Sequence, residues 1–205
     1  MVNVYICKKQ NMSFVLLSFL WICYFVMHSA MLAPKIKQHI LGLTGLPENR
    51  YRVLYNIVAI LGILPPLIYH WSLPKPTLMT EPNVLIEYLG LLLMAAAVYL
   101  AFKCFQGYSL GEFIGLEQPQ SAHKLNTEGL NELVRHPLYF SALVFLFGGL
   151  LRSPSYVYLV TMFWIVLYII IGAQLEEARL VEKFGKAYRD YQDKVPMLIP
   201  FYKFK

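Results

Sequence analysis

Arg135 and His136 stand directly before Pro137, and two adjacent acids, Glu176 and Glu177, follow later in the chain. A proline fits the first turn of a helix, where its missing N–H costs nothing. The residue before a proline is pushed toward an extended backbone. Arg135 and His136 are therefore expected at a helix N-terminus, where free N–H groups and the positive dipole end suit an anion such as a carboxylate. The plain alternative is an interfacial Arg-His pair bonded to lipid headgroups. Glu176 and Glu177 are the natural partners of such a site, although two acids at a helix exit are more often a solvated face. Beyond them Leu180, Phe184, Ala187 or Tyr188, and Tyr191 recur at helical spacing, with charges on the other faces. This pattern predicts an amphipathic helix lying on a membrane or folding back over the site. Gly185 weakens it in the middle, and Val195-Pro196-Met197-Leu198-Ile199-Pro200 ends it in an extended segment.

These residues need elements to hold them, and composition says what kind. Of 205 residues 58% are hydrophobic and 15% are charged, where a soluble domain carries about 25% charged residues. The chain is expected to be all-α, a single polytopic membrane domain over 1–205 with about five transmembrane helices. A span needs roughly 20 mostly apolar residues. Candidate spans run over 12–33, 53–71 and 84–105, then over a short arm, 138–151, and a long one, 156–175. The turn Arg152-Ser153-Pro154-Ser155 joins the last two into a hairpin. If the short arm does not cross, the count is four. Pro65 and Pro66 are expected to kink the second span or end its regular part. The first span follows Lys8 and Lys9 as a signal peptide would, but no small-x-small cleavage site is apparent near 27–33, so a retained helix is expected.

Five spans place the termini on opposite sides. One side then holds Lys35, Lys37, Arg50, Arg52, Lys103, Lys124, Arg135, Arg179, Lys183, Lys186, Arg189, Lys194, Lys203 and Lys205. The other holds only Lys8, Lys9, Lys75 and Arg152. The richer side is expected to be cytoplasmic, and with it the C-terminal amphipathic helix and the candidate site around residues 127–139 and 174–200. Net charge is +6, explained by these flanks. No basic-aromatic pattern of a nucleic-acid module is present, and membrane lipid is the expected partner. Cys7, Cys23 and Cys104 match neither a metal spacing nor a disulfide framework, and no metal site is expected.

Residues 127–200 resemble the integral membrane methyltransferases typified by isoprenylcysteine carboxyl methyltransferase and the phospholipid methyltransferases. The resemblance rests on Arg135-His136-Pro137-Leu138-Tyr139, Glu176-Glu177, Phe184-Gly185-Lys186-Ala187-Tyr188, Tyr191 and Val195-Pro196, in the family's order. It implies an S-adenosylmethionine site outside the dinucleotide-binding folds. Leu133, Val134, Arg135, His136 and the Tyr139 side chain would cradle the cofactor. Glu176 and Glu177 would reach its ribose or amino group, and Arg135 and Glu177 would be catalytic. Carboxylates and aromatic rings suit the sulfonium and ammonium, and a guanidinium fork suits the carboxylate. The family commonly has glycine two positions after the tyrosine, where this chain has Ser141, still small. In addition, His28-Ser29, Tyr51-Arg52 and Tyr55-Asn56 resemble bacterial membrane thiol-methyltransferases. The implied acceptor is a lipophilic or small membrane-permeant carboxylate, amine or thiol.

Ionisable and amide groups inside spans are candidates for function. His28 and Asn56 are placed near an acceptor pocket, with hydrogen-bonded helix packing as the alternative. Glu87 is expected among headgroups, Lys103 to snorkel, and Trp71 and Tyr156 to belong to an aromatic belt. Two other readings compete. An NADPH-dependent reductase of the sterol type shares an Arg-His-Pro-like element and a Gly-aromatic tail. A non-catalytic membrane protein that kept the fold would share everything.

Overall fold

The structure is a computed structural model. It describes the backbone of residues 2–78, 83–106 and 125–202, with side chains from residue 11 onward. Lys124, Lys203 and Lys205, and the side chains of Cys7, Lys8 and Lys9, lie outside the described residues. Among the described residues there are seven α-helices and one short 3-10 turn: α1 (Val2–Leu32), α2 (Pro34–Thr44), α3 (Glu48–Ser72), α4 (Val84–Phe105), the 3-10 turn Gly129–Glu132, α5 (Pro137–Arg152), α6 (Tyr156–Phe184) and α7 (Lys186–Gln192). Asn11–Leu32, α3, α4 and α6 are long and apolar enough to cross a membrane. Val15, Phe19, Val26, Ile60, Ile68, Leu85 and Leu92 point outward from three of them. Such continuous apolar surface is unfavourable in water and expected in lipid.

The described residues fall into two compact units. The first comprises 2–78 and 155–164, the second 83–106, 125–154 and 165–202. In the first unit α1 packs on α3, and Leu17, Trp21 and Val157 are almost wholly buried. The Trp21 indole donates to Thr161 Oγ1 at 3.2 Å, and His70 Nδ1 meets the same hydroxyl at 2.8 Å. Tyr51 ties the start of α3 to the end of α1 by donating to the Met31 carbonyl at 2.6 Å. The stretch expected as a loop between the first two spans contains α2. Pro34 opens it at a first-turn position, and Gly45 ends it at φ 65, ψ 13, its N–H returning to the Leu41 carbonyl. Glycine takes this left-handed cap without a Cβ penalty. The helix α3 runs unbroken through Pro65 and Pro66 to Ser72, so the regular part does not end there. Membrane helices tolerate such interruptions in their hydrogen bonding.

In the second unit α4 and α5 form the main pair. A Cβ built on Gly90 would lie 2.5 Å from the Gly148 carbonyl oxygen, and one on Gly148 would lie 2.6 Å from that of Gly90. The start of α4 thus lies against the end of α5, and the two run antiparallel with backbones in contact, as small residues allow in lipid. Ile169, Ala173 and Leu198 form a core with Tyr139, Leu143 and Met197 packed on it. At 16 residues α5 is about 24 Å long at 1.5 Å per residue, short of a roughly 30 Å hydrocarbon core. Yet Ser155, just after α5, pairs with Thr77 in the connector between α3 and α4. The chain that leaves that connector through α4 therefore returns to it through α5.

The last long helix does not stop at Leu175, where the apolar run ends. It continues to Phe184, because nothing between Leu175 and Lys183 disfavours a helix. The break comes at Gly185, whose φ 57, ψ −126 is open essentially to glycine alone.

Candidate functional site

The site is assembled within the second unit from the approach to α5, the last third of α6, and α7 with its tail. Arg135 closes a fork on Glu177, Nε to Oε1 at 2.5 Å and Nη2 to Oε2 at 2.8 Å. Both side chains are nearly buried, at 10% and 12% exposure. The third arm of the guanidinium, Nη1, donates to the carbonyls of Gln192 and Val195 at 3.2 and 2.5 Å. Glu177 in turn accepts from Tyr188 Oη at 3.2 Å and Gln192 Nε2 at 2.7 Å, and lies 3.3 Å from His136 Nε2. A buried carboxylate requires this density of donors.

The backbone closes the same frame. The N–H groups of Arg135 and His136 donate to the carbonyls of Pro196 and Met197, and those of Leu133 and Val134 both turn back to Leu130. Tyr191 Oη donates to the Asn131 carbonyl at 2.5 Å. Burial pushes the Tyr188 and Tyr191 hydroxyls upward, that of Tyr191 to about 12, with the Glu177 charge adding to both. Both tyrosines therefore remain neutral donors at ordinary pH.

The sequence-predicted residues divide into two sets. Arg135, Glu177, Val134 and the backbone of 133–136 are brought together but committed to one another. The fork expected to grip a cofactor carboxylate is held by Glu177. The side chains left facing outward or half-buried are Leu133, Tyr139 and Glu176. Tyr139 Oη donates to Glu176 Oε2 at 3.1 Å, and the same oxygen lies 3.6 Å from His136 Nδ1. His136 stacks on Tyr139 with ring centroids 5.4 Å apart and planes at 22°. This pairing places a half-exposed carboxylate beside an aromatic ring, a combination that attracts cations and hydroxyl groups. Ser141 is buried and donates to the Leu138 carbonyl, consistent with a tight position that admits only a small side chain.

His28 and Asn56 belong to the first unit. There His28 Nε2 lies 2.6 Å from Tyr55 Oη, and the Tyr24 ring lies 5.6 Å from the imidazole. Gln192 was not anticipated. A single amide on an amphipathic helix carries no sequence signal, and only the fold sets it against Glu177.

The profile of the family described as NnrU protein matches residues 16–201. The chain belongs to the NnrU protein family. Among curated relatives, methanethiol S-methyltransferase of Pseudomonas deceptionensis is 34% identical over 111 residues, covering 54% of this chain and 41% of that protein. Methanethiol S-methyltransferase 1 of Bradyrhizobium diazoefficiens is 27% identical over 187 residues, covering 86% and 63%. Protein-S-isoprenylcysteine O-methyltransferase B of Arabidopsis thaliana is 24% identical over 161 residues, covering 78% of each chain. The match thus spans about two fifths and three fifths of the length of the first two relatives. No solved structure matches the chain. The Arg135–Glu177 frame and the Glu176–Tyr139–His136 group lie inside the stretch matched by the NnrU family.

Proposed function

We propose that this NnrU-family chain is a membrane-embedded methyltransferase that uses S-adenosylmethionine, and that its acceptor is a small thiol. The reading is carried by the half-exposed Glu176 carboxylate held between Tyr139 and His136, on a frame of buried hydrogen bonds. It draws its support from relatives named as methyltransferases, and its thiol preference from those named for methanethiol.

The residues present suit such a cofactor. Bound there, S-adenosylmethionine would supply a methyl group on a cationic sulfur. Glu176 offers a carboxylate to a cation or to ribose hydroxyls, and the stacked His136 and Tyr139 rings offer aromatic faces. Arg135 and Glu177 keep the approach to α5, α6 and α7 in one register, so they act by positioning. A thiol acceptor would take up that methyl group on its sulfur and would have to give its proton to water beforehand, since only the thiolate is a good nucleophile. The rest of the task is orientation and exclusion of water. By the distribution of Lys and Arg the site and the C-terminus face the cytoplasm.

Calorimetry on detergent-purified protein tests the reading, with S-adenosylmethionine, S-adenosylhomocysteine and NADPH as ligands. Binding of the two adenosyl ligands alone is expected. Transfer of labelled methyl to small thiols is expected to exceed transfer to prenylcysteine carboxylates or lipid amines. Binding of NADPH alone would make the protein a reductase, and binding of none by folded protein would favour a non-catalytic role.

A further inference from the structure

The helix α2 has no buried residue, yet its composition is not that of a solvated helix. Ile36, Ile40 and Leu43 fall at i, i+4 and i+7 and form one stripe. Ile36 is 41% and Leu43 74% exposed. Lys35 and His39 border the stripe on one side, Lys37 and Thr44 on the other, and Leu41, off the stripe, is half-buried. From Ala33 to Arg52 the chain carries Lys35, Lys37, Arg50 and Arg52 against a single acid, Glu48. Glu48 pairs with Lys37 at 2.9 Å, which leaves the surplus charge positive. Covalent geometry restricts where this helix can be. Only Ala33 separates α2 from the span Asn11–Leu32, and only Gly45, Leu46 and Pro47 separate it from the spanning α3. A helix so tethered at both ends stays at the membrane surface.

We propose that α2 is an interfacial helix that binds the anionic phospholipid headgroups of its own bilayer. Its Ile36–Ile40–Leu43 stripe enters the boundary of the acyl chains, and Lys35, Lys37, Arg50 and Arg52 face the phosphates. A basic helix with an apolar stripe has the complementarity that such a surface requires. Anionic lipid is the occupant for two reasons. The bilayer is within reach by tethering alone, and the net charge around the stripe is positive.

The test uses the full chain in bilayer nanodiscs, with nitroxides at Leu43→Cys and at Gln38→Cys in a background where Cys7, Cys23 and Cys104 are serine. Circular dichroism confirms that each variant is folded. The label at 43 is expected to collide with oxygen and be shielded from a water-soluble nickel chelate, and the label at 38 to show the reverse. Equal access of the chelate to both would overturn the proposal. Shielding of position 43 from both probes, with dipolar broadening, would also overturn it and make a second copy the occupant. In parallel, spin-labelled phosphatidylglycerol is expected to associate with the protein in preference to phosphatidylcholine. Lys35→Gln with Arg50→Gln is expected to lower that preference about fivefold. An unchanged preference would defeat the assignment to anionic lipid.

Discussion

Two neighbouring glutamates in α6 have opposite surroundings. Glu177 is buried among four donor atoms from Arg135, Gln192 and Tyr188, with His136 Nε2 beside them, while Glu176 is half-exposed and lies against Tyr139 and His136. Removing one partner of a buried ion pair leaves the other uncompensated, at a cost of about 3–5 kcal/mol. Glu177→Ala is therefore expected to destabilise by that amount in thermal or denaturant unfolding of the detergent-solubilised protein. Glu176→Ala is expected to unfold like the wild type and to lose at least about tenfold in S-adenosylmethionine affinity, as loss of one charged contact of roughly 1.5–3 kcal/mol implies. The opposite order of effects would exchange their roles. Tyr191 adds a pH dependence. Its hydroxyl is raised from 10.0 to about 12 by burial. A group held neutral in the folded state contributes stability that is fully present below the unfolded value and is lost as pH rises through the folded one. Tyr191→Phe is accordingly expected to abolish part of the stability loss between pH 10 and about 12, seen as a smaller drop in Tm across that window. The acids and Arg135 were legible in the sequence. The division of labour between Glu176 and Glu177 was not, because adjacent helix positions differ by about 100° in direction and only packing says which of them faces inward.

Helix positions and types followed from apolar runs and punctuating residues. The α4 span agrees at both ends with the apolar run 84–105, and α5 differs from its own by one residue at each end. Less was legible where no apolar run marks the element. Amphipathic α2 stood in an expected loop, and α6 passes the end of its apolar run without breaking, because a membrane boundary is not a helix boundary. Contacts between elements turn on glycines whose importance the sequence does not announce. Gly148→Ala would bring a methyl against the backbone of α4 and is expected to destabilise by about 1–3 kcal/mol. Gly172→Ala has open space around its Cβ and is expected to unfold close to the wild type. Thermal unfolding of the two variants side by side checks this. Gly185→Ala is expected to cost about 1–3 kcal/mol for a different reason. Its Cβ would meet nothing, but φ 57, ψ −126 strains any residue with a Cβ.

At the scale of the molecule, four helices among the described residues are long and apolar enough to span, and the bridge of Thr77 with Ser155 returns α5 to the connector from which α4 departs. The charge asymmetry then predicts a sidedness. Cysteine at Glu182 is expected to resist an impermeant thiol reagent in intact cells, and cysteine at Pro74 to react, each against the wild-type background; the reverse pattern would invert the protein. Membrane class, the number of spans to within the short arm, and the neighbourhood of Arg135, His136 and Glu176–Glu177 were all set by the sequence alone. Hydropathy, proline position and helix start signals are local properties, readable without knowledge of neighbours. The tertiary structure alone decided that Arg135 spends its fork on Glu177, that Gln192 and Tyr188 complete that carboxylate, and that Tyr139 and Glu176 remain available. Those facts depend on which side chain meets which across distant segments of chain. Direction and distance in space settle that, and spacing along the sequence does not encode it.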